Sequence, residues 1–206
     1  MRSEVLVATT NPAKQERLRS LLAGQGVVFH ALEELPNVPP PEETGLTHLE
    51  TARGKAVYWS EAFGGLAISS DGGLVIPALG PAWDSVRTRR ATGDDAPDAE
   101  RIGRLLALMG PYEGEDRAAL WAEAVVLADD GEVLAEWEVE GPKGYLLRAP
   151  VERRIPGFWA ACLWYFPEVG KAYTEMTPDE LRRTGDPWQR LWLSVQNDIN
   201  MGRVLI

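Results

Sequence analysis

Cys162 is the only cysteine in 206 residues. An internal disulfide is therefore excluded, and so is a zinc site built on a cysteine pair. Cys162 stands in an apolar, aromatic stretch and is expected to be a buried, inert thiol. Long apolar runs are missing too: no segment approaches the length of a membrane span. The N-terminus enters an apolar strand at Val5 without the longer apolar stretch and cleavage site of a signal peptide. These absences predict a cytoplasmic protein with no membrane partner. Positive charge is scarce, and the net charge of −10 argues against a nucleic-acid partner bound over a broad surface. Among the cations, lysine has almost been eliminated. Only Lys14, Lys55, Lys143 and Lys171 remain, and arginine supplies the rest. Asn and Gln are few while Arg and Pro are many, a composition with a thermophilic cast.

What is present is an ordinary globular mixture, 45% hydrophobic and 25% charged. The length suits one large domain or two closely joined lobes, and no linker, repeat or low-complexity segment divides it, so one domain spanning 1–206 is expected. An acidic chain still binds a polyanion where a few cations cluster. The sparse lysines are candidates for that use, because an ammonium is a compact point charge for phosphate.

The chain is organised around Gly65-Leu66-Ala67-Ile68-Ser69-Ser70-Asp71-Gly72-Gly73-Leu74-Val75-Ile76. The pattern predicts a buried strand ending in a tight turn, with Asp71 at its exposed tip. Gly72 and Gly73 lack the Cβ atoms that would keep a ligand or metal from the backbone. Upstream, Glu4–Ala8 predicts a strand buried on both faces, followed by Thr9-Thr10-Asn11-Pro12-Ala13-Lys14 and an amphipathic helix carrying Leu18, Leu21 and Leu22. Asn11 is a natural N-cap and Pro12 a natural first helical residue. A strand running directly into a helix N-terminus offers free N–H groups and partial positive charge to an anion, and Lys14 adds a full charge. A second helix is predicted from Thr47 to about Phe63, with Thr47 and Glu50 forming a capping box. Glu43 precedes it in a loop, free to turn toward a cleft. His48 is expected to be a partly buried helix residue.

Downstream, Asp98–Met109 predicts an amphipathic helix. Ala118–Ala128 and Glu132–Val139 predict two strands joined at Asp129-Asp130-Gly131. In the first of these Trp121 and the apolar run after it belong to a core, and alternation turns Glu123 away from it. Trp188–Val195 predicts a closing amphipathic helix that buries Leu191 and Trp192.

Three segments together carry a resemblance: Thr9-Thr10-Asn11-Pro12-Ala13-Lys14, Glu43-Thr44-Gly45-Leu46-Thr47 through Lys55-Ala56, and Ser70-Asp71-Gly72-Gly73-Leu74. Their order and spacing resemble the inosine-triphosphate pyrophosphatase family, enzymes that clear nonstandard purine nucleoside triphosphates. The resemblance implies an elongated α/β fold with a mixed central sheet, flanking helices and two lobes around a central cleft. It implies Mg²⁺ as cofactor, a homodimer, and cleavage of the α–β phosphate bond to a nucleoside monophosphate and pyrophosphate. On this chain it implies Asp71 as general base and Thr9, Thr10, Asn11, Lys14, Lys55 and Gly72 as phosphate contacts. Glu43, Asp71 and Glu50 are the implied carboxylates for the metal, oxygen ligands of the kind Mg²⁺ takes. In many relatives the residue before the base is also acidic; here it is Ser70. Arg87 or Arg89 takes the role of the family's arginine.

The resemblance thins toward the C-terminus. Where relatives carry Phe-Gly-Tyr/Trp-Asp, this chain has Phe158-Trp159-Ala160-Ala161, leaving Phe158 and Trp159 as the candidate base contacts. Lys171 and Glu175 fall on a pattern in which the lysine is peripheral, and Lys143 has the least claim of all on phosphate. The positions of the family's base-reading lysine and Ser-His-Arg fall on Leu181 and Gly185-Asp186-Pro187. Phosphate and metal handling thus look intact while base recognition is rewritten. A catalytically weak nucleotide-binding protein derived from the family is the alternative reading.

Overall fold

The structure is a computed structural model describing residues 3–88, 96–204 and 206. The chain is α/β and divides into two compact units: Met1–Gly72, Glu123–Val139 and Pro187–Ile206 in the first, Gly73–Ala122 and Glu140–Asp186 in the second.

In the first unit, β1 (Glu4–Val7) lies between β2 (Val28–Ala31) and β3 (Leu66–Val75), parallel to both. β4 (Ala118–Asp129) neighbours β3 and pairs with β5 (Glu132–Glu140). Parallel neighbours need a crossover, and α1 (Pro12–Leu21) and α2 (His48–Phe63) supply the helices between them. The β4–β5 turn places Asp130 and Gly131 at φ 44° and 86°, the left-handed pair that a two-residue hairpin demands. One core layer joins Leu18 and Leu21 of α1 to Val5, Val7, Ile68, Val125 and Leu127. It is closed by Trp188, Leu191 and Val195 of the last helix, α5 (Pro187–Asn200). A second layer packs Ala52 and Ala56 of α2 on Ala124, Val126 and Ala128.

In the second unit, the start of β4 pairs antiparallel with β6 (Gly144–Leu146), β6 with β7 (Trp164–Phe166), and β7 with β8 (Lys171–Ala172). Two helices belong here, α3 (Asp98–Leu108) and α4 (Pro178–Thr184). The core is aromatic, with Trp164 stacked on Tyr173 at 5.3 Å and Cys162 buried beside them, the inert position expected of it. Arg117 is buried and donates to four backbone carbonyls, those of Leu146, Met109, Tyr112 and Leu147.

Three expectations need correction. The chain does not turn at Asp71: β3 runs unbroken from Leu66 to Val75, because two extended glycines cost a strand less than a reversal inside a buried sheet. Glu123 does not face away; flanked by helices on both faces, β4 is buried from Ala122 to Ala128, and Glu123 with it. Trp192 is 42% exposed, since the buried stripe of α5 follows Trp188, Leu191 and Val195 and leaves Trp192 on its flank.

Candidate functional site

Asp71 is the centre of a set of charged groups drawn from β3, α2 and the loop before α2. Alternation along β3 sends Ala67, Ser69 and Asp71 to the side of α2. Ser69 Oγ donates to the carbonyl of Ala52 at 2.6 Å, fixing that face against the helix. One turn before Ala52, His48 sits at the first position of α2, and its Nδ1 lies 2.6 Å from Asp71 Oδ2. One turn after it, Lys55 Nζ donates to the other oxygen, Oδ1, at 3.2 Å. Residues 48 and 55 are seven apart, two helical turns, so one face of α2 brackets the carboxylate from both ends.

The Lys55 ammonium is shared with Glu43 Oε1, 3.4 Å away. The loop carrying Glu43 reaches α2 because of Gly45. A Cβ there would stand 2.5 Å from Thr51 Oγ1 and 2.6 Å from its backbone nitrogen, so only glycine permits the approach. From α1, Lys14 Nζ pairs at 3.0 Å with Glu123 Oε1, and Glu123 is fully buried.

Burial pushes the Asp71 carboxyl toward its neutral form. The hydrogen bond from His48 and the charges of Lys14, Lys55 and His48 outweigh it and hold the carboxyl below the usual carboxylate range. Asp71 is therefore ionised at neutral pH, and as an acceptor it requires the proton on His48 Nδ1. The arrangement is an ionised, nearly buried carboxylate, oriented by an imidazole, bonded to the Lys55 ammonium and subject to the charge of Lys14. Chemically, such a carboxylate is able to accept a proton from a water, and ammonium groups are able to bind phosphate oxygens.

The sequence-derived candidates are distributed as follows. Lys55, Glu43 and Asp71 come together, while Lys14 pairs with Glu123 and acts on Asp71 through its charge. Glu50 is turned elsewhere: its backbone N–H is capped by Thr47 Oγ1, but its carboxylate accepts from the N–H of Leu46 and not from that of Thr47, so the expected box is only half formed. Among the described residues no three His, Cys, Asp or Glu side chains form a ready metal cage. At α1 the expected free N–H groups are engaged, since Asn11 Oδ1 accepts from Ala13 and Lys14. Thr9 Oγ1 accepts from the Asn11 N–H, Thr10 is exposed, and Gly72 is half-buried in β3. Charge at this end of the unit thus resides in Lys14 and the helix dipole.

In the second unit, Phe158 is only 6% exposed, its ring 4.3 Å from that of Trp121 and 5.2 Å from that of Tyr173. Trp159 is half-buried, edge-on to Trp83. Asp186 accepts from the Tyr173 hydroxyl at 2.5 Å, and Gly185 caps α4 at φ 81°, so both positions have structural employment. Lys143 pairs with Glu115 and Lys171 with Glu180. Arg87 is bonded to Asp84; Arg89 lies outside the described residues.

Two of these groups escape sequence reasoning. No second histidine accompanies His48 to mark it, yet its place at the start of a helix two turns before Lys55 is a usable signal. Glu123 falls on a polar face by alternation alone, although a single carboxylate inside Ala122–Ala128 has no polar face to occupy.

Comparison with known proteins gives the family. A model of the Ham1 family matches residues 5–185. The dITP/XTP pyrophosphatase of Gloeobacter violaceus is 37% identical over 182 residues, covering 87% of this chain and 86% of that protein. A dITP/XTP pyrophosphatase of Thermus thermophilus is 39% identical over 184 residues, 87% of this chain and 84% of that one. The structure of a HAM1 protein from Coxiella burnetii superposes with a TM-score of 0.77 at 27% identity, covering 96% of this chain and 100% of that one. The chain belongs to the Ham1 family.

Proposed function

We propose that this protein is a nucleoside-triphosphate pyrophosphatase that cleaves the α–β phosphate bond, releasing a nucleoside monophosphate and pyrophosphate, in the service of nucleotide-pool cleaning. The observation that carries this reading is the Asp71 carboxylate held between His48 Nδ1 and Lys55 Nζ. Its relatives named dITP/XTP pyrophosphatase support the substrate class. Lys14 and Lys55 hold the phosphates, and Asp71, oriented by His48, accepts the proton of the attacking water.

The donor set fits Mg²⁺. Glu43 and Asp71 converge on one point, the Lys55 ammonium, and both present hard oxygen ligands. Mg²⁺ retains waters and substrate oxygens, so two carboxylates suffice and a complete protein cage is unnecessary. Glu50 is less suited, because its carboxylate is engaged with Leu46. When bound, the metal neutralises phosphate charge. Trp159, the more accessible of the two aromatic candidates, is the one to stack on a base, and the absence of a base-reading basic segment at 185–187 suggests relaxed base preference. A homodimer and a cytoplasmic location complete the proposal.

The test is pyrophosphate release with Mg²⁺ from dITP, XTP, dUTP and the standard triphosphates, followed by Asp71→Asn. Release from one or a few substrates, abolished in Asp71→Asn with triphosphate binding retained, is expected. Binding without release from any of them would make this a nucleotide-binding protein instead.

A further inference from the structure

Lys14, Leu18 and Leu21 follow one another along a single face of α1, four and three residues apart. The two leucines are fully buried against Ile68 of β3 and Val125 and Leu127 of β4. At one end of this apolar layer the chemistry changes on all three elements. Lys14 continues the α1 stripe, Ser70 continues the β3 face two residues past Ile68, and Glu123 continues the β4 face two residues before Val125. Glu123 is 0% exposed and Lys14 Nζ lies 3.0 Å from it. Ser70 is 1% exposed and its hydroxyl has no hydrogen-bond partner.

A carboxylate taken wholly out of water is weak evidence for stability, because an apolar residue of similar volume generally serves a core as well. A functional reason is available here. The Lys14 charge also acts on Asp71, so one ammonium serves carboxylates on two neighbouring strands. Whatever fixes that ammonium fixes its distance from Asp71 and its pull on an arriving polyanion.

We propose that Glu123 is a positioning residue of the phosphate site: it anchors the Lys14 ammonium and tempers its attraction for triphosphate. On this face of the sheet the acidic group comes from β4, while the neighbouring β3 carries the Ser70 hydroxyl. The inference rests on the reading of Lys14 as a phosphate contact.

The test combines two readouts on the whole protein. Inorganic tripolyphosphate is titrated calorimetrically without metal, and kcat for pyrophosphate release from dITP is measured with Mg²⁺. In Glu123→Gln the lost negative charge tightens tripolyphosphate binding by about threefold or more, while the unanchored lysine lowers kcat by about tenfold. A residue that merely supported the fold would weaken binding, not strengthen it. Adding Ser70→Asp to Glu123→Gln restores a carboxylate on the same face and brings both readouts back to within about threefold of wild type. Unchanged tripolyphosphate affinity in folded Glu123→Gln, or no recovery in the double variant, overturns the proposal. If circular dichroism shows Glu123→Gln unfolded, Glu123→Asp decides: charge kept but carboxylate withdrawn, it should lose kcat about fivefold with affinity within about twofold, and an unchanged kcat is the refuting result. A wild-type protein that releases no pyrophosphate defeats the proposed function alone, since the tripolyphosphate titration still decides the role of Glu123.

Discussion

Replacing His48 by leucine tests the reading of Asp71 most directly. The substitution keeps an apolar volume at a buried position, 6% exposed, and removes the Nδ1–H that lies 2.6 Å from Asp71 Oδ2. A hydrogen bond to a charged group contributes about 1.5–3 kcal/mol. Breaking a fully buried ion pair costs about 3–5 kcal/mol, but here Lys55 stays bonded to Oδ1 and the carboxylate is not abandoned. A loss of about 2 kcal/mol is therefore expected, which for a chain of this length lowers Tm by about 4–8 °C. His48→Asn sets an amide N–H near the position of Nδ1 and should recover at least about half of that loss. In an Asp71→Ala background His48→Leu should cost less than about half as much, the remainder being the coupling between the two residues. Urea denaturation followed by tryptophan fluorescence measures all of these proteins. Equal stability of wild type and His48→Leu, or equal losses in the leucine and asparagine variants, would refute the pairing on which the mechanism is built.

Gly45→Ala should displace the Glu43 loop, because its Cβ would enter the space of Thr51 Oγ1 and N; a stability loss of about 1–3 kcal/mol, with weaker metal dependence of activity, is the expected result. Arg117→Met removes the guanidinium donor from four carbonyls, of which that of Met109 keeps the Tyr112 N–H, and should cost about 3 kcal/mol, measurable by urea denaturation and monitored through the second unit's aromatic signals. Glu180 is lowered from 4.5 to about 2, chiefly by its bond to Lys171, with the Thr177 backbone contributing. Because the folded value is the depressed one, its stabilising effect is complete above pH 4.5 and is lost as pH falls toward 2. Carbon-detected titration of the carboxyl should show this midpoint, and Lys171→Met should move it up; a midpoint near 4.5 in the native chain would contradict the pair.

The framework of the first unit is well marked in the sequence. Pro12 after Asn11, Thr47 before His48 and the Asp130-Gly131 turn are local chemical signals, and each marks an element boundary where expected. Glu43, Lys55 and Asp71 are visible as a spaced set and do converge, with Lys14 held apart on Glu123. What the sequence does not show shares one cause: it depends on what neighbouring elements place beside a residue. Gly72 and Gly73 look like a turn when isolated but extend as part of β3, which β4 neighbours. Glu123 looks polar and outward by alternation, yet β4 is covered on both faces. The His48–Asp71 bond joins residues 23 apart, which no local pattern encodes. Phe158 is a candidate base contact by resemblance, while its burial is fixed by Trp121 and Tyr173, both distant in the chain.

The lone thiol offers a use of its own. Cys162 has no exposed surface, and burial raises its pKa, so the native protein should be inert to thiol reagents at neutral pH. Its labelling rate is then a clock for the opening of the second unit's core, read against a background of no other thiols. Ligands that bind only the first unit should leave that clock unchanged unless the two open together. A single cysteine, silent in chemistry, thus becomes a gauge of cooperativity within the molecule.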